Sequence, residues 1–382
     1  MKIYPGILYD LYWRLRSSLK VGIEDHKRFA TRSFIELHPH NEVSFDLDEK
    51  QLKEDPSNQM AAYMGKTFQL SQVGYKVLKN INLIGAAAIA VNTFGRVYLQ
   101  SCLLDIYSLK NSGTLFLSIP FLKRKVKRIE NAISIVNLYN IGGNFNYFHW
   151  VNDSVLLMEA WQHFKKSAGM EPYVIIPNNI PRQQLQFLSK IGVPDNKLIS
   201  WEGKRMKIDN LILYSTNRTK MKPMDLLHPG PFKWLKSCIQ VKTSSAYRKI
   251  FVSRQKSRGR RFLNESDYKS WIKSNGFEEI YLEELTVLEQ LKVFQESKII
   301  IGAHGAGLTN IFMCNPGTRI VELFGKPPAF YTDFYRLANQ LHLKYQFVVF
   351  DYKIHPDQSK KGYQEIDLIF DPQKLDTIDF SK

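Results

Sequence analysis

A glycine-rich segment around one histidine is the first place in this sequence where chemistry is expected. Ile299–Asn310 has the sequence IIIGAHGAGLTN, and its His304 lies between an apolar strand-like run and a helix-like run. Gly302, Gly305 and Gly307 do not follow the dinucleotide-binding order, and no phosphate-loop GKS or GKT accompanies them. A helix N-terminus nevertheless offers free N–H groups and a partial positive charge, which hold phosphate well. The segment predicts either a phosphate site, in which the last two glycines let the ligand approach the backbone, or a tight turn without a ligand.

Charged residues elsewhere could complete such a phosphate site. Arg254 ends another predicted strand, and its guanidinium could make a bidentate contact with a diphosphate or an ordinary surface ion pair. Arg258, Arg260 and Arg261 could add phosphate contacts, although a solvated basic loop fits the sequence equally well. Glu322 falls near the end of the next strand, where an acidic side chain could bond a ribose hydroxyl.

A polar notch in an otherwise apolar stretch is the second candidate. His149 and Asp153 are four residues apart and therefore share one face of a predicted helix, with Asn152 beside them. An exposed helix pair of this kind is worth only about 0.5 kcal/mol and would be ordinary. This helix is apolar nearly all round, so the notch is either buried at a cost or faces a cleft. We favour the cleft.

The elements that must position these residues alternate regularly after residue 144. Strands are predicted at 173–177, 197–200, 210–215, 248–254, 277–282, 298–301, 319–324 and 345–350, with strand or hairpin material at 95–109. Helices are predicted at 144–164, capped by Asn144 or Asn146, and at 181–192, 266–276, 286–297 and 335–343. Apolar strands alternating with helices predict an α/β fold with parallel sheets covered on both faces. Such sheets bind ligands beyond the carboxyl ends of their strands, so Arg254 and the glycine segment are expected at one edge.

The length and the chemical character of the chain indicate two domains. A chain of 382 residues is too long for one ordinary core, and prolines interrupt a polar, basic stretch at 216–245. We therefore predict a first domain at 1–242, of which 1–130 is weakly patterned, and a second, ligand-binding domain at 243–350. The tail at 351–382 is expected to pack back on the first domain.

Composition limits the partners and the compartment. A hydrophobic fraction of 44% is that of a globular protein, and a net charge of +17 points to an anionic partner. Three widely spaced cysteines suit a reducing compartment, and no pair has metal-ligand spacing. Ile81–Val91, the most apolar stretch, has about half the length of a membrane span. We expect a cytoplasmic protein. Its basic, aromatic N-terminal segment, Met1–Lys20, could bind the inner face of the plasma membrane or could be a first helix packed on its own domain.

Three blocks of the sequence resemble glycosyltransferase family 61. They are NYFHWVNDSVLLM, FVSRQKSRGRRFLNESD and LEQLKVFQESKIIIGAHGAGLTNIFMCNPGTRIVELF, and the resemblance extends over about residues 140 to 350. It implies a GT-B-like α/β fold, with two Rossmann-like domains whose parallel sheets face a central cleft. It also implies inverting transfer from a nucleotide-sugar, without an obligatory metal or cofactor. The acceptor would be a glycan or a lipid-linked glycan in surface or capsular polysaccharide biosynthesis.

The resemblance also implies roles for the candidate residues. Arg254 and the turn Gly305–Ala306–Gly307 would hold the diphosphate, His304 would lie by the phosphates or the sugar, and Glu322 would face the nucleoside. His149 and Asp153 would face the acceptor, and either could take its proton. In one arrangement Asp153 is the base and His149 positions the acceptor; in the other His149 is the base and Asp153 orients it. We favour Asp153, because a carboxylate also stabilises a developing oxocarbenium charge.

Two other classes of protein are consistent with parts of the sequence. A transferase of nucleotide-activated polyol phosphate would also have a GT-B form. A polyanion- or nucleic-acid-binding protein would explain the charge of +17, but the basic residues are spread along the chain and no nucleic-acid motif is present. We therefore expect no nucleic acid among the partners.

Overall fold

The structure is a computed structural model of the 382-residue chain. It describes residues 23–24, 33–45, 61–93, 97–102, 126–140, 145–219, 225–239, 246–257, 259–325, 332–354, 366–376 and 378–380. The predicted N-terminal surface segment and Arg258 lie outside these residues. In the part of the chain that the structure describes, no helix is long and apolar enough to cross a bilayer.

From Tyr173 onward the strands and helices follow the predicted alternation, except that the stretch 216–245, predicted to be an irregular boundary, contains two short strands and a helix. The strands are β1 (Ile23–Glu24), β2 (Ile35–His38), β3 (Asn41–Ser44), β4 (Thr67–Leu70), β5 (Val73–Ile84), β6 (Ile89–Val91), β7 (Val97–Tyr98), β8 (Lys127–Ser134), β9 (Tyr173–Ile176), β10 (Leu198–Ser200), β11 (Arg205–Tyr214), β12 (Arg218–Thr219), β13 (Leu226–Leu227), β14 (Arg248–Val252), β15 (Glu278–Ile280), β16 (Ser297–Ala303), β17 (Arg319–Gly325), β18 (Lys344–Ile354) and β19 (Ile366–Ile369). The α-helices are α1 (Tyr147–Asp153), α2 (Met158–Ala168), α3 (Arg182–Lys190), α4 (Pro229–Cys238), α5 (Glu265–Ser274), α6 (Val287–Gln295) and α7 (Asp333–Gln340). Short 3-10 helices occupy Leu99–Cys102, Leu138–Asn140, Val155–Leu157, Asp195–Lys197, Leu282–Glu284, Ala306–Met313 and Pro372–Lys374.

The described residues form two compact units. Those within Met1–His40 and Ser71–Asn217 form the first unit, and those within Asn41–Leu70 and Arg218–Lys382 form the second. The division falls after Asn217, whereas the sequence analysis placed its domain boundary after residue 242. Asn41–Leu70, which that analysis left in the first domain, belongs to the second unit because its hairpin residues pack there on aromatic side chains.

The first unit contains a mixed sheet rather than the parallel sheet that the sequence predicts. Its described strands have the order β1-β7-β6-β5-β11-β8-β9-β10, with β2 also paired to β5. Strands β8 to β11 are parallel to their neighbours among these four, but β5 is antiparallel to both β11 and β6. The β5–β6 pairing is antiparallel because a turn between Gly85 and Ala88 folds the most apolar stretch of the chain into a hairpin, with φ 71° at Gly85.

The first predicted long helix is divided into two. Asn146 caps α1, and its side-chain oxygen accepts hydrogen bonds from the backbone N–H groups of Phe148 and His149. The helix stops at Ser154, whose φ of −134° is not helical, and a 3-10 turn then leads into α2. The Ser154 hydroxyl donates to the carbonyl of Ile135, 3.0 Å away, and this bond draws the chain out of the helix. A polar residue was thus able to end a helix that the apolar pattern predicts to continue.

The second unit contains the parallel sheet that the sequence predicts. Its strand order is β15-β14-β16-β17-β18-β19, and only β19 runs antiparallel to its neighbour. The chain therefore reverses its direction of travel across the sheet between β14 and β16. A capping box between Thr286 and Glu289 begins α6, which leads back into β16.

The C-terminal tail completes the core of this second unit. Phe370, Leu375 and Phe380 are buried in one cluster with Phe251 and Trp271. This packing differs from the expectation that the tail at 351–382 packs on the first domain. The tail packs here because β19 pairs with β18 and brings its apolar residues onto one face of the parallel sheet.

Candidate functional site

The carboxyl ends of β14 and β16 lie side by side where the strand order reverses. Val252, at the end of β14, pairs with Gly302 in β16. Arg254 and His304 therefore both follow the same edge of the sheet, as the sequence predicts. In open parallel sheets this reversal point forms a crevice in which ligands bind. The juxtaposition is confirmed, and the phosphate-binding role of the residues stays a prediction.

The guanidinium of Arg254 lies directly against the backbone of the glycine turn. A β-carbon added to Gly305 would overlap Nη1 of Arg254 and would lie 3.1 Å from its Cζ. The Nε group of Arg254 donates to the carbonyl of Gly259, 3.0 Å away, which holds the guanidinium in this place. Gly305 has φ 170°, an extended conformation open to any residue, so the turn needs a glycine here for space rather than for its backbone angle.

The two glycines thus make room for protein side chains in this structure. A β-carbon on Gly307 would lie 2.5 Å from Cδ1 of Leu282, a buried side chain. The sequence predicts that both glycines let a ligand approach the backbone. At Gly305 the space is instead taken by the arginine predicted to bind that ligand, and at Gly307 it is taken by the core. Ala306 begins the 3-10 helix Ala306–Met313, which has tighter turns than the predicted α-helix.

His304 belongs to a buried network with Glu322 and a tyrosine that the sequence analysis did not identify. Its Nδ1 lies 2.5 Å from Oε1 of Glu322, and the hydroxyl of Tyr345 donates to Oε2 at 2.6 Å. The Glu322 side chain is fully buried, whereas His304 is 14% exposed. Glu322 therefore uses both oxygens inside the unit and presents neither to solvent, where a ribose hydroxyl would meet it. The predicted nucleoside contact of Glu322 does not fit this arrangement.

The remaining predicted arginines have structural partners. Arg261 forms an ion pair with the buried carboxylate of Asp367, with Nη2 and Oδ2 2.8 Å apart. Hydrogen bonding to Asp367 raises the pKa of the Arg261 guanidinium above its ordinary value. Arg260 adopts a left-handed φ of 60°, and its backbone N–H donates to the carbonyl of Ile366. Both arginines fasten their loop to β19, and Arg261 therefore lies in an ion pair with a buried carboxylate and not in a solvated basic loop.

The polar notch of the first unit is a close imidazole–carboxylate pair. Nδ1 of His149 lies 2.7 Å from Oδ2 of Asp153. The Asp153 side chain is 1% exposed, and that of His149 is 22% exposed. The ring of Tyr139 stacks on the imidazole, with centroids 3.6 Å apart and planes within 5°. The carboxylate thus lies behind the imidazole, and the imidazole is the more accessible member of the pair.

Two buried asparagine side chains and the hydroxyl of Ser154 hold the C-terminal end of α1. Asn137 donates to the backbone carbonyl of Asp153 at 3.1 Å and to the hydroxyl of Ser154 at 3.0 Å. Asn140 donates to the same hydroxyl at 2.8 Å. These contacts tie the end of α1 to the segment that follows β8. The sequence does not predict these contacts, because the three residues Leu138–Asn140 beside a glycine-containing segment are not typical of any one structure.

Comparison with known proteins gives a family for the central part of the chain. Residues 147–321 match the family model described as Glycosyltransferase 61. That range contains α1 with His149 and Asp153, the strand before Arg254, and the glycine turn. The chain therefore carries a glycosyltransferase domain. This domain belongs to the Glycosyltransferase 61 family.

One curated relative is similar over a short stretch. The beta-1,2-xylosyltransferase RCN11 of Oryza sativa subsp. japonica is 44% identical over 39 residues. This stretch covers 10% of the present chain and 7% of the rice protein. The match thus spans a small fraction of that relative's length, and the donor, acceptor and activity of the whole chain are matters for proposal.

Proposed function

We propose that this protein transfers a sugar from a nucleotide-sugar to a hydroxyl group of a glycan acceptor. One observation carries the proposal. The guanidinium of Arg254 is held against Gly305, next to His304, at the strand-order reversal of a parallel sheet. These residues lie within the stretch that matches Glycosyltransferase 61. A fixed cation at a ligand crevice suits the diphosphate of such a donor.

The leaving diphosphate is neutralised by protein groups in this proposal. Arg254 supplies a guanidinium that can bond two phosphate oxygens at once. The N–H groups at the start of the helix Ala306–Met313 add partial positive charge on the adjacent side. As its negative charge grows, the leaving group is stabilised by groups already in position, which lowers the barrier without a metal ion or a cofactor.

The acceptor hydroxyl is deprotonated by His149 in this proposal. The exposed fractions favour His149 over Asp153, because a base must reach the hydroxyl within about 3 Å and the Asp153 side chain is only 1% exposed. Asp153 instead accepts a hydrogen bond from the Nδ1–H group and orients the ring, as the buried carboxylate does in a catalytic triad. Nε2 of His149 then takes the acceptor's proton while the acceptor oxygen bonds the anomeric carbon and the diphosphate leaves.

Other parts of the proposal rest on the family resemblance alone. They are the GT-B arrangement, inversion at the anomeric carbon, and an acceptor in surface or capsular polysaccharide or on a lipid. A cytoplasmic location and binding to an anionic membrane surface rest on the sequence composition. The rice relative is named a beta-1,2-xylosyltransferase, so UDP-xylose belongs in any donor panel.

A transfer assay tests this function directly. The full-length protein is incubated with UDP-, GDP- and CMP-sugars, including UDP-xylose, and with a panel of pentose- and hexose-containing oligosaccharides. We expect mass spectrometry to detect a glycoside product from at least one pair of donor and acceptor. NMR should show that its anomeric configuration is inverted relative to the donor. Transfer from CDP-glycerol or CDP-ribitol alone would support the polyol-phosphate alternative and overturn the proposal.

A further inference from the structure

The loop that follows β14 is fastened to β19, which lies beyond the residues that match the family model. The backbone N–H of Arg261 donates to Oδ1 of Asp367 at 3.0 Å, and Nη2 of its guanidinium donates to Oδ2 at 2.8 Å. The two segments also pair through their backbones, since the N–H of Leu368 donates to the carbonyl of Arg261 at 2.7 Å. Asp367 is only 2% exposed. This buried carboxylate therefore uses both of its oxygens to hold one residue of the loop.

One peptide group of the same loop connects β19 with the guanidinium of Arg254. Its carbonyl, that of Gly259, accepts a hydrogen bond from Nε of Arg254 at 3.0 Å. Its N–H, that of Arg260, donates to the carbonyl of Ile366 on β19 at 2.6 Å. A peptide group is planar, so its carbonyl and its N–H turn together. The direction of the Gly259 carbonyl, and with it the place of the Arg254 guanidinium, therefore depends on how the loop is held to β19.

The backbone conformation of Arg260 shows that this turn must be held by its surroundings. Its φ of 60° lies in the left-handed region, which is unfavourable for a residue with a side chain. Such a conformation persists only where neighbouring contacts fix it. Asp367 fixes the next residue, Arg261, on one side. A release of Arg261 would therefore let the strained turn relax and would move the peptide group that Arg254 bonds.

The ion pair of Asp367 and Arg261 suits the control of geometry better than the gain of stability. A buried ion pair is a weak source of stability, because well-packed apolar residues of similar volume often serve equally well. Geometry matters for Arg254, since a guanidinium bonds two phosphate oxygens at once only when its plane is correctly oriented. A small misplacement of such a group is costly for binding and for transfer.

We propose that Asp367 is a positioning residue, which holds the Gly259–Arg260 peptide group so that the guanidinium of Arg254 stays in the place from which it bonds the donor diphosphate. The ligand in this inference rests on the proposed glycosyltransferase function, whereas the path from Asp367 to Arg254 does not. Asp367 lies outside residues 147–321, so a residue of the C-terminal tail takes part in donor binding from beyond the matched stretch.

NMR of the full-length protein labelled with 15N-arginine tests this path without a ligand. The Nε–H signal of Arg254 is assigned by its absence in Arg254→Lys. In the wild type we expect this proton to exchange slowly with water, because it is bonded to the Gly259 carbonyl. In Asp367→Asn we expect exchange about 3- to 10-fold faster, from the loss of one aligned hydrogen bond.

A second variant removes the ion pair without leaving a buried charge unpaired. Arg261→Met/Asp367→Leu replaces both partners by apolar side chains, so it should keep its stability and show the same faster exchange at Arg254. Unchanged exchange in either folded variant would overturn the inference. A wild-type Nε–H that exchanges as fast as that of an exposed arginine would overturn it even if neither variant folded.

Calorimetry with UDP and GDP then tests the link to donor binding. For the nucleotide that binds the wild type, Asp367→Asn should raise the Kd about 3- to 10-fold. In the Arg254→Ala background the same change should alter the Kd by less than about twofold, because its effect passes through Arg254. Asp371→Asn is the matched control, since this carboxylate of the same tail accepts from the N–H of Gln373 and should be replaceable without effect on the Kd.

The two backgrounds separate a failure of this inference from a failure of the proposed function. Equal Kd values for Asp367→Asn and the wild type would overturn the inference and leave the proposed function intact. An equal effect of Asp367→Asn with and without Arg254 would do the same. If neither UDP nor GDP binds the wild type, the proposed function fails and the role of Asp367 in donor binding fails with it, and the exchange rates alone decide whether Asp367 holds Arg254.

Discussion

Two imidazole–carboxylate pairs share one geometry at the scale of single residues. In His149–Asp153 and in His304–Glu322, Nδ1 of the imidazole meets a nearly or fully buried carboxylate oxygen. In both pairs the histidine is the more exposed partner. A carboxylate in this position orients the ring and selects its tautomer, and the outward nitrogen is left to act on a ligand. Both pairs are therefore expected to work through the histidine.

The first unit's pair gives a prediction about turnover. His149→Ala removes the proposed base, so turnover should fall by about 100-fold or more while the nucleotide Kd stays close to that of wild type. Asp153→Asn should also lower turnover, because an amide can support the wrong tautomer. His163→Ala is a suitable control, since His163 is an exposed histidine on α2 whose side chain hydrogen-bonds the hydroxyl of Tyr75. Initial rates and calorimetric Kd values check these variants. If His149→Ala turned over nearly normally and Asp153→Asn were inactive, Asp153 and not His149 would be the base.

The glycine turn gives a second residue-scale prediction. Gly305→Ala needs no change of backbone conformation, because φ is 170°, but its methyl group would displace the guanidinium of Arg254. We expect nearly unchanged stability and a nucleotide Kd weakened about tenfold, from the loss of one aligned charged contact. Thermal unfolding and calorimetry measure the two effects separately. A loss of stability without a loss of affinity would show that the glycine serves the fold and not the arginine.

Sequence patterns could predict some of these residues and not others. Arg254 and His304 follow recognisable apolar strands, and parallel strands end at a common edge, so their proximity could be predicted. Tyr345 could not be, because it occupies an ordinary aromatic position in an apolar strand. The sequence also does not show that Glu322 is buried, because a strand pattern does not reveal that the hydroxyl of Tyr345 on the neighbouring strand bonds the Glu322 carboxylate.

At the scale of elements, a hairpin from the N-terminal part of the chain supports the second unit. Phe45 follows β3, and its ring lies 5.1 Å from that of Tyr63 and 5.6 Å from that of Tyr335 on α7. Phe68 on β4 completes the cluster. Through Tyr335 this aromatic cluster reaches Tyr345 and the histidine network. Sequence alone could not predict this contact, because its residues are separated by almost three hundred positions.

The hairpin gives a prediction about local stability. Phe45 is 3% exposed, and Phe45→Ala should cost about 3 to 5 kcal/mol through the cavity that it leaves. Hydrogen exchange followed by mass spectrometry should show faster exchange in α7 and β18. Peptides from β9 and α3 in the first unit act as the internal control and should exchange as in the wild type. Faster exchange confined to β9 and α3 would contradict the assignment of the hairpin to the second unit.

The division of the first predicted helix shows that one hydrogen bond can end a helix that an apolar pattern predicts to continue. The apolar run at 144–164 predicts one helix, and the hydroxyl of Ser154 divides it into two. The strand alternation of the second half, by contrast, was predicted well, because a strand buried on both faces needs continuous β-branched residues. The antiparallel β5–β6 hairpin was not predicted, since a short apolar stretch with one glycine does not show which strands pair.

At the scale of the whole molecule, the net charge of +17 suits an anionic donor. Donor binding that depends on Arg254 and on backbone N–H groups should not require a divalent cation. We therefore expect transfer activity to persist in excess EDTA, measured with the donor identified in the transfer assay. The same reaction with added Mn²⁺ is the control. Loss of activity in EDTA with recovery in Mn²⁺ would show that a metal ion carries the diphosphate charge.

Nucleotide binding by arginine variants tests the location of the donor most directly. Arg254 follows β14 at its carboxyl end, whereas Arg248 begins the same strand at the opposite edge and pairs with Glu278. Calorimetry with UDP, GDP and CMP should find at least one nucleotide that binds the wild type. Its Kd should weaken about 30- to 150-fold in Arg254→Ala, from the loss of about 2 to 3 kcal/mol of charged hydrogen bonding, with partial recovery in Arg254→Lys. Arg248→Ala should bind as the wild type does. Equal affinity of Arg254→Ala and wild type, or no binding of any nucleotide, would contradict a diphosphate site at the glycine turn.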